Sequence, residues 1–218
     1  MTIRTTLAAM CAAAAWAGAV PALPGAAQET GLKAGVSVSR LDTSEPTYWD
    51  DRITQAAYGG HIRLRFGPIA LQPELLLTAK GASSGQAAEE GLLRIEYIEL
   101  PVLLVLPLRV GDFEPFAYGG PSLMLESRCR WSERQQGLRT TVTCDPPRGP
   151  VFPRRSFDYG AVAGGGISYP VWSGRVMAEG RYTWGLRNIH DGADLQIRNR
   201  TFSMYIGYSV GWGSDDGR

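Results

Sequence analysis

Residues 92–108, LLRIEYIELPVLLVLPL, decide the fold. The run is as apolar as a membrane helix, yet it carries Arg94, Glu96, Glu99, Pro101 and Pro107. A helix crossing hydrocarbon needs roughly 20 mostly apolar residues, and each proline inside one removes a backbone hydrogen bond. A strand resolves the conflict, because side chains alternate between its faces. Ile98, Leu100, Val102, Leu104 and Leu106 then share one face, and Tyr97, Glu99, Pro101, Leu103 and Val105 the other. Arg94 and Glu96 fall in line with the apolar face but precede its stripe, at an outer rim. Pro101, which cannot donate to a ladder, predicts a bulge. In a soluble sandwich the apolar face meets a second sheet; in a membrane barrel it meets lipid, and the mixed face lines the lumen.

The N-terminus gives the compartment. Arg4 is the only charge before Glu29, Leu7 to Val20 is Ala-rich and apolar, and Gly25-Ala26-Ala27 offers small residues for a signal peptidase. Residues 1–27 read as a cleaved signal peptide and 28–218 as one barrel domain. An N-terminal anchor fits less well, since Pro21 and Pro24 interrupt a short apolar segment. Cys11 lies inside that segment rather than after it, unlike a lipoprotein cysteine. The whole chain has 22 Lys and Arg against 21 Asp and Glu. Losing Arg4 makes the mature chain formally neutral, with no basic footprint for nucleic acid. Cys129 and Cys144 remain, flanking the polar segment RWSERQQGLRTTVT. In an oxidising compartment such a pair predicts a disulfide; no C-x-x-C spacing or nearby histidine supports a metal site.

Strand-like segments recur at 31–41, 57–66, 69–81, 92–107, 114–126, 156–171, 175–188 and 201–213. In YGGHIRLRF, Tyr58, Gly60, Ile62, Leu64 and Phe66 alternate with His61, Arg63 and Arg65. In TFSMYIGYSVGW, Phe202, Met204, Ile206, Tyr208, Val210 and Trp212 alternate with Ser203, Tyr205, Gly207, Ser209 and Gly211. FAYGGPSLML alternates too poorly to assign faces. Connections at 67–68, 108–113 and 172–174 are short, whereas 42–56, 82–91, 127–155 and 189–200 are long and polar. That regularity predicts an all-β, eight-stranded antiparallel up-and-down transmembrane barrel with short periplasmic turns and long extracellular loops. A Greek-key sandwich would not sort its loops this way.

The lumen face collects Arg63, Arg65, Glu74, Lys80, Glu99, Glu179 and Arg181, a mixed-sign set expected to pair across a narrow interior. Tyr58, Phe66, Tyr169, Tyr182, Trp184, Phe202 and Trp212 fall on outer faces, many near strand ends, as interfacial girdles would.

LQPELLLTAKG (71–81), LRIEYIELPVLL (93–104), PFAYGGPSL (115–123), DYGAVAGGGISYP (158–170), AEGRYTWGLRNI (178–189) and SMYIGYSVGW (203–212) resemble the PorT-like outer-membrane β-barrel family over nearly the whole mature chain. The resemblance implies the outer membrane of a diderm bacterium and a family whose members mostly lack an assigned activity. One namesake is associated with protein secretion, a role that a shared scaffold does not transfer.

No cofactor or metal is expected. A catalytic site would have to use His61, on a lumen face, or His190 beside Asp191, and no serine lies in a nucleophile context. Gly164 to Gly166 read as small residues for close strand packing, since no helix follows to bind phosphate. The expected role is structural or surface interaction, with outer-membrane lipid around the wall and an extracellular or envelope protein partner through the long loops. The alternatives are a secreted lipocalin-like barrel with a small apolar ligand, and a barrel-type outer-membrane enzyme. N-terminal sequencing of exported protein should begin at Gln28; retention of Met1 would exclude a cleaved signal.

Overall fold

The computed structural model describes residues 28–43, 51–86, 89–135, 138–144, 156–188 and 197–212. Residues 1–27, expected to be a signal peptide, and His190 with Asp191 lie outside the described residues. Strands are β1 (Gln28–Thr43), β2 (Asp51–Phe66), β3 (Ile69–Gln86), β4 (Glu89–Pro107), β5 (Glu114–Gln135), β6 (Leu138–Thr143), β7 (Phe157–Val171), β8 (Gly174–Gly185) and β9 (Ile197–Trp212). Every barrel neighbour is antiparallel and adjacent in sequence, and β1 pairs with β9 over its whole length. Eight strands therefore close on themselves, leaving no edge of unpaired backbone in hydrocarbon. The ninth, β6, pairs only with the far end of β5. It takes the side that β7 occupies up to the Leu125–Phe157 pair.

Both termini of the barrel and the turns at 67–68, 108–113 and 172–173 share one end. Gly67 (φ 64°) and Gly111 (φ 62°) supply the left-handed residues such tight turns require. At the other end the strands run further than the sequence predicts. The expected loop 82–91 is mostly ladder, with Ser84 opposite Gly91 and Gln86 opposite Glu89. Likewise β5 continues to Gln135 and forms a hairpin with β6, so much of 127–155 is sheet. Polar composition marks these stretches as outside the bilayer, and solvated strands can project there without an apolar face.

The expected bulge at Pro101 is absent. Pro101 stays opposite Ser122, and the β3–β4 register holds from end to end. The irregularity lies instead between Glu96 and Tyr97, which face Arg128 and Glu126, so Ser127 is the extra residue. The unassigned faces of β5 also resolve: Phe116, Tyr118, Ser122 and Met124 are buried inside, while Ala117, Pro121, Leu123 and Leu125 face out. Two large aromatics inside and small groups outside had obscured the alternation.

Outward positions carry Leu32, Val36, Leu71, Val102, Leu104, Leu106, Leu123, Ile167, Met204 and Ile206, all exposed. Inward positions bury charges. This is the reverse of a lipocalin-like barrel or a soluble sheet, and it requires an apolar solvent outside. Phe66, Phe113, Tyr169 and Trp172 ring the short-turn end, and Tyr159, Tyr182, Trp184 and Phe202 lie toward the loops. Arg94 and Glu96 face outward beyond Ile98 as expected, 3.5 Å apart, and Arg130 also lies 3.5 Å from Glu96.

Ile206 is 69% exposed near the middle of β9. Ile206→Arg should lower folding stability in lipid vesicles by about 2–4 kcal/mol, against about 1 kcal/mol or less for Val110→Arg in a periplasmic turn, measured by urea titration. Equal costs would contradict the assignment of the lipid face.

Candidate functional site

The lumen is built by period-two alternation in every barrel strand, which sends one long polar side chain after another to the axis. Its centre is a four-membered ion network. Lys33 of β1 places Nζ 2.7 Å from Glu74 Oε1 and 2.8 Å from Glu179 Oε1. Arg181 of β8 places Nη1 2.7 Å from Glu74 Oε2 and Nη2 2.5 Å from Glu179 Oε1. The four side chains are at most 1% exposed. Arg181 stacks over Tyr118 and Tyr205, at 5.3 and 4.9 Å, and Lys33 over Tyr205 at 5.2 Å.

A second network lies nearer the short turns. Arg65 Nη2 reaches Glu29 at 2.9 Å and Glu114 at 2.7 Å, and Arg63 Nη1 is 3.6 Å from Glu114. Gln72 joins the two networks: it accepts from Arg63 Nε at 2.6 Å and donates to Glu74 at 2.7 Å. Toward the loops, Lys80 pairs with Glu99 at 3.1 Å, and Thr78 and Ser122 donate to the same carboxylate.

All seven sequence-predicted lumen residues therefore point inside, and each has an opposite-charge partner. Lys33, Glu29 and Glu114 join these groups and were missed, giving five cations and five anions in the pairs described. Arg175, 3.9 Å from Glu114, and Asp158, buried and accepting from Asn199 at 3.0 Å, also face inward. Lys33 was legible, since it alternates with Leu32 and Ala34; Glu29 and Glu114 sit at strand ends, where alternation has barely begun.

Aromatic and apolar groups fill the remaining space. Phe116 and Tyr118 lie against Leu103, Val105 and Val162. Their rings cover Gly164 and Gly166: an added Cβ would come 2.8 Å from the Tyr118 hydroxyl and 2.7 Å from Phe116. The glycines thus serve close packing, as the sequence suggests. At the loop end Tyr97, Ile95, Leu93, Leu41, Met124 and Ile197 form an apolar cluster around the Cys129–Cys144 disulfide. Both cysteines are buried, with Cα atoms 5.5 Å apart. The disulfide ties the β5–β6 hairpin over the mouth rather than closing an open loop.

His61 is buried beside Gly31, and neither ring nitrogen has a hydrogen-bond partner. Among the described residues no group of three or more His, Cys, Asp or Glu is placed to hold a metal ion.

Residues 26–191 match the model of the family described as "Outer membrane protein beta-barrel domain". The chain belongs to this family. It is accordingly an integral outer-membrane β-barrel protein. Among curated proteins none matches. Solved structures similar to it include Neisserial surface protein A (12% identity, TM-score 0.46, 84% of this chain and 97% of that one). Ail, the attachment invasion locus protein of Yersinia pestis, is 10% identical with TM-score 0.40 over 84% and 99%. The outer membrane protease OmpT of Escherichia coli is 8% identical with TM-score 0.45 over 89% and 99%. These likenesses add nothing on activity to what the closed sheet and the family match establish.

Glu74→Gln strands Lys33 and Arg181 with one carboxylate between them and should cost about 3–5 kcal/mol. Glu96→Gln, on the partly exposed outer surface, should cost under about 1 kcal/mol. Urea unfolding in vesicles measures both; equal effects would mean that the lumen charges are solvated.

Proposed function

We propose that this outer-membrane barrel is non-catalytic and closed to bulk transport, with a structural or surface-interaction role and a place among the PorT-like barrels whose motifs it resembles. The observation that carries this reading is the lumen, where charge is spent on internal pairing and aromatic rings occupy the rest. Eight strands enclose an interior that side chains can fill, whereas roughly 16–18 strands are needed for a porin channel. Burial also argues against catalysis by His61, whose side chain is almost wholly enclosed.

The surface role rests on what projects. The β3–β4 and β5–β6 hairpins extend sheet past the apolar band, and the disulfide holds the second of them in shape. Projecting strands with exposed backbone edges favour an extracellular or envelope protein partner over a nucleic acid, for which the chain has no basic footprint.

Planar-bilayer recording of the purified barrel tests the closed-lumen reading. No steady conductance is expected; sustained, ion-selective currents would move the function to a channel.

A further inference from the structure

The outer wall carries a feature that the lumen does not explain. Arg40 and Arg200 are directly opposite one another in the β1–β9 ladder. The β1–β2 register, which pairs Ser39 with Ile53, brings Arg52 alongside Arg40 on the same outward face. Like charges directly opposite in a sheet repel, so a row of three guanidinium groups is unfavourable without an anion. Asp42 pairs with Arg200 at 3.2 Å, and among the described residues no carboxylate pairs with Arg40 or Arg52. The three arginines line a cavity of about 210 Å³ floored by Val38, Tyr182 and Phe202.

Below that cavity, toward the membrane centre, lies a second, apolar groove of about 630 Å³, which shares Phe202 with the first. Ala34, Gly165, Ala178 and Gly180 form its low floor, and Ile167 and Met204 stand among its walls. A Cβ on Gly180 would meet only the Phe202 ring, at 3.8 Å, so the groove is open directly above it. Height fits as well: the ten residues from Thr30 to Arg40, at about 3.4 Å each and about 40° of tilt, rise about 26 Å, the thickness of the apolar band. The arginine row therefore lies at the level of the outer-leaflet headgroups, and the groove at the level of their chains.

We propose that this wall binds a phosphate-bearing lipid of the outer leaflet, its phosphate held by Arg40, Arg52 and Arg200 and an acyl chain laid along the groove beneath. Asp42 offsets Arg200 and itself lies opposite Arg198, so Arg40 and Arg52 leave the wall positive where a phosphomonoester of charge about −1.5 to −2 would sit. Guanidinium groups suit phosphate oxygens because their planar donors bind in pairs.

Native mass spectrometry of the folded barrel in detergent, titrated with dioleoyl phosphatidic acid, dioleoylglycerol and glycerol 3-phosphate, tests the proposal. Phosphatidic acid should be retained at least ten-fold better than either of the others, which lack the phosphate or the chains. The Arg40→Gln/Arg52→Gln double variant and Gly180→Leu should each lose most of that preference, one by removing the anion site and the other by filling the groove. Equal retention of phosphatidic acid and dioleoylglycerol by wild-type protein would overturn the phosphate site. Equal retention of glycerol 3-phosphate would overturn the lipid. If a variant fails to fold, the wild-type comparison of the three compounds decides alone. An unchanged preference in both folded variants would refute the assignment to this wall.

Discussion

Everything inside this barrel depends on charge pairing in a space that lipid walls off from water. Lys33, Glu74, Glu179 and Arg181 are side chains whose isolated burial would cost several kcal/mol apiece. They are tolerable only because each carboxylate meets two cations within hydrogen-bonding distance. Once four strands, β1, β3 and β8 with β9 supplying Tyr205, are committed to that cluster, their register and facing are fixed. A slip of one residue would turn these charges into hydrocarbon and Leu32, Leu75 or Ala178 into the lumen.

The same constraint explains the small and large residues around it. Gly164 and Gly166 leave room for Phe116 and Tyr118, and Tyr118 in turn lies under Arg181, so β7 contributes to holding a cation even where it places no side chain inside. The apolar cluster at Tyr97, Met124 and the disulfide sits above the last ion pair, Lys80 with Glu99, and shields it from the extracellular side. Outside, the wall obeys a different solvent: apolar in the middle, aromatic at both borders, and charged only beyond them.

Much of this was legible from alternation. YGGHIRLRF and TFSMYIGYSVGW showed both faces without ambiguity, and the seven predicted lumen charges all point inward. What failed were features that alternation does not encode. Polar composition at 82–91 and 127–155 suggests loops, but polarity reports solvent rather than the end of a ladder. The proline rule placed a bulge at Pro101, whereas the ladder keeps its register there and the extra residue is Ser127, an unremarkable serine. FAYGGPSLML hid its faces because the inward positions carry aromatics and the outward ones small residues. Glu114 follows directly on a turn, where no neighbouring period revealed which way it points.

The central claim is that the buried lumen charges are held by pairing with one another, and a double-mutant cycle between Glu74 and Arg181 tests it most directly. Folding free energies of wild type, Glu74→Gln, Arg181→Met and the double variant would be measured in lipid vesicles. Each single change should cost about 3–5 kcal/mol, and the double variant should cost less than the sum by at least about 2 kcal/mol, because removing both partners leaves no stranded charge. Costs that simply add would show that the two side chains are stabilised separately, by water, and that the lumen is not closed by their pairing.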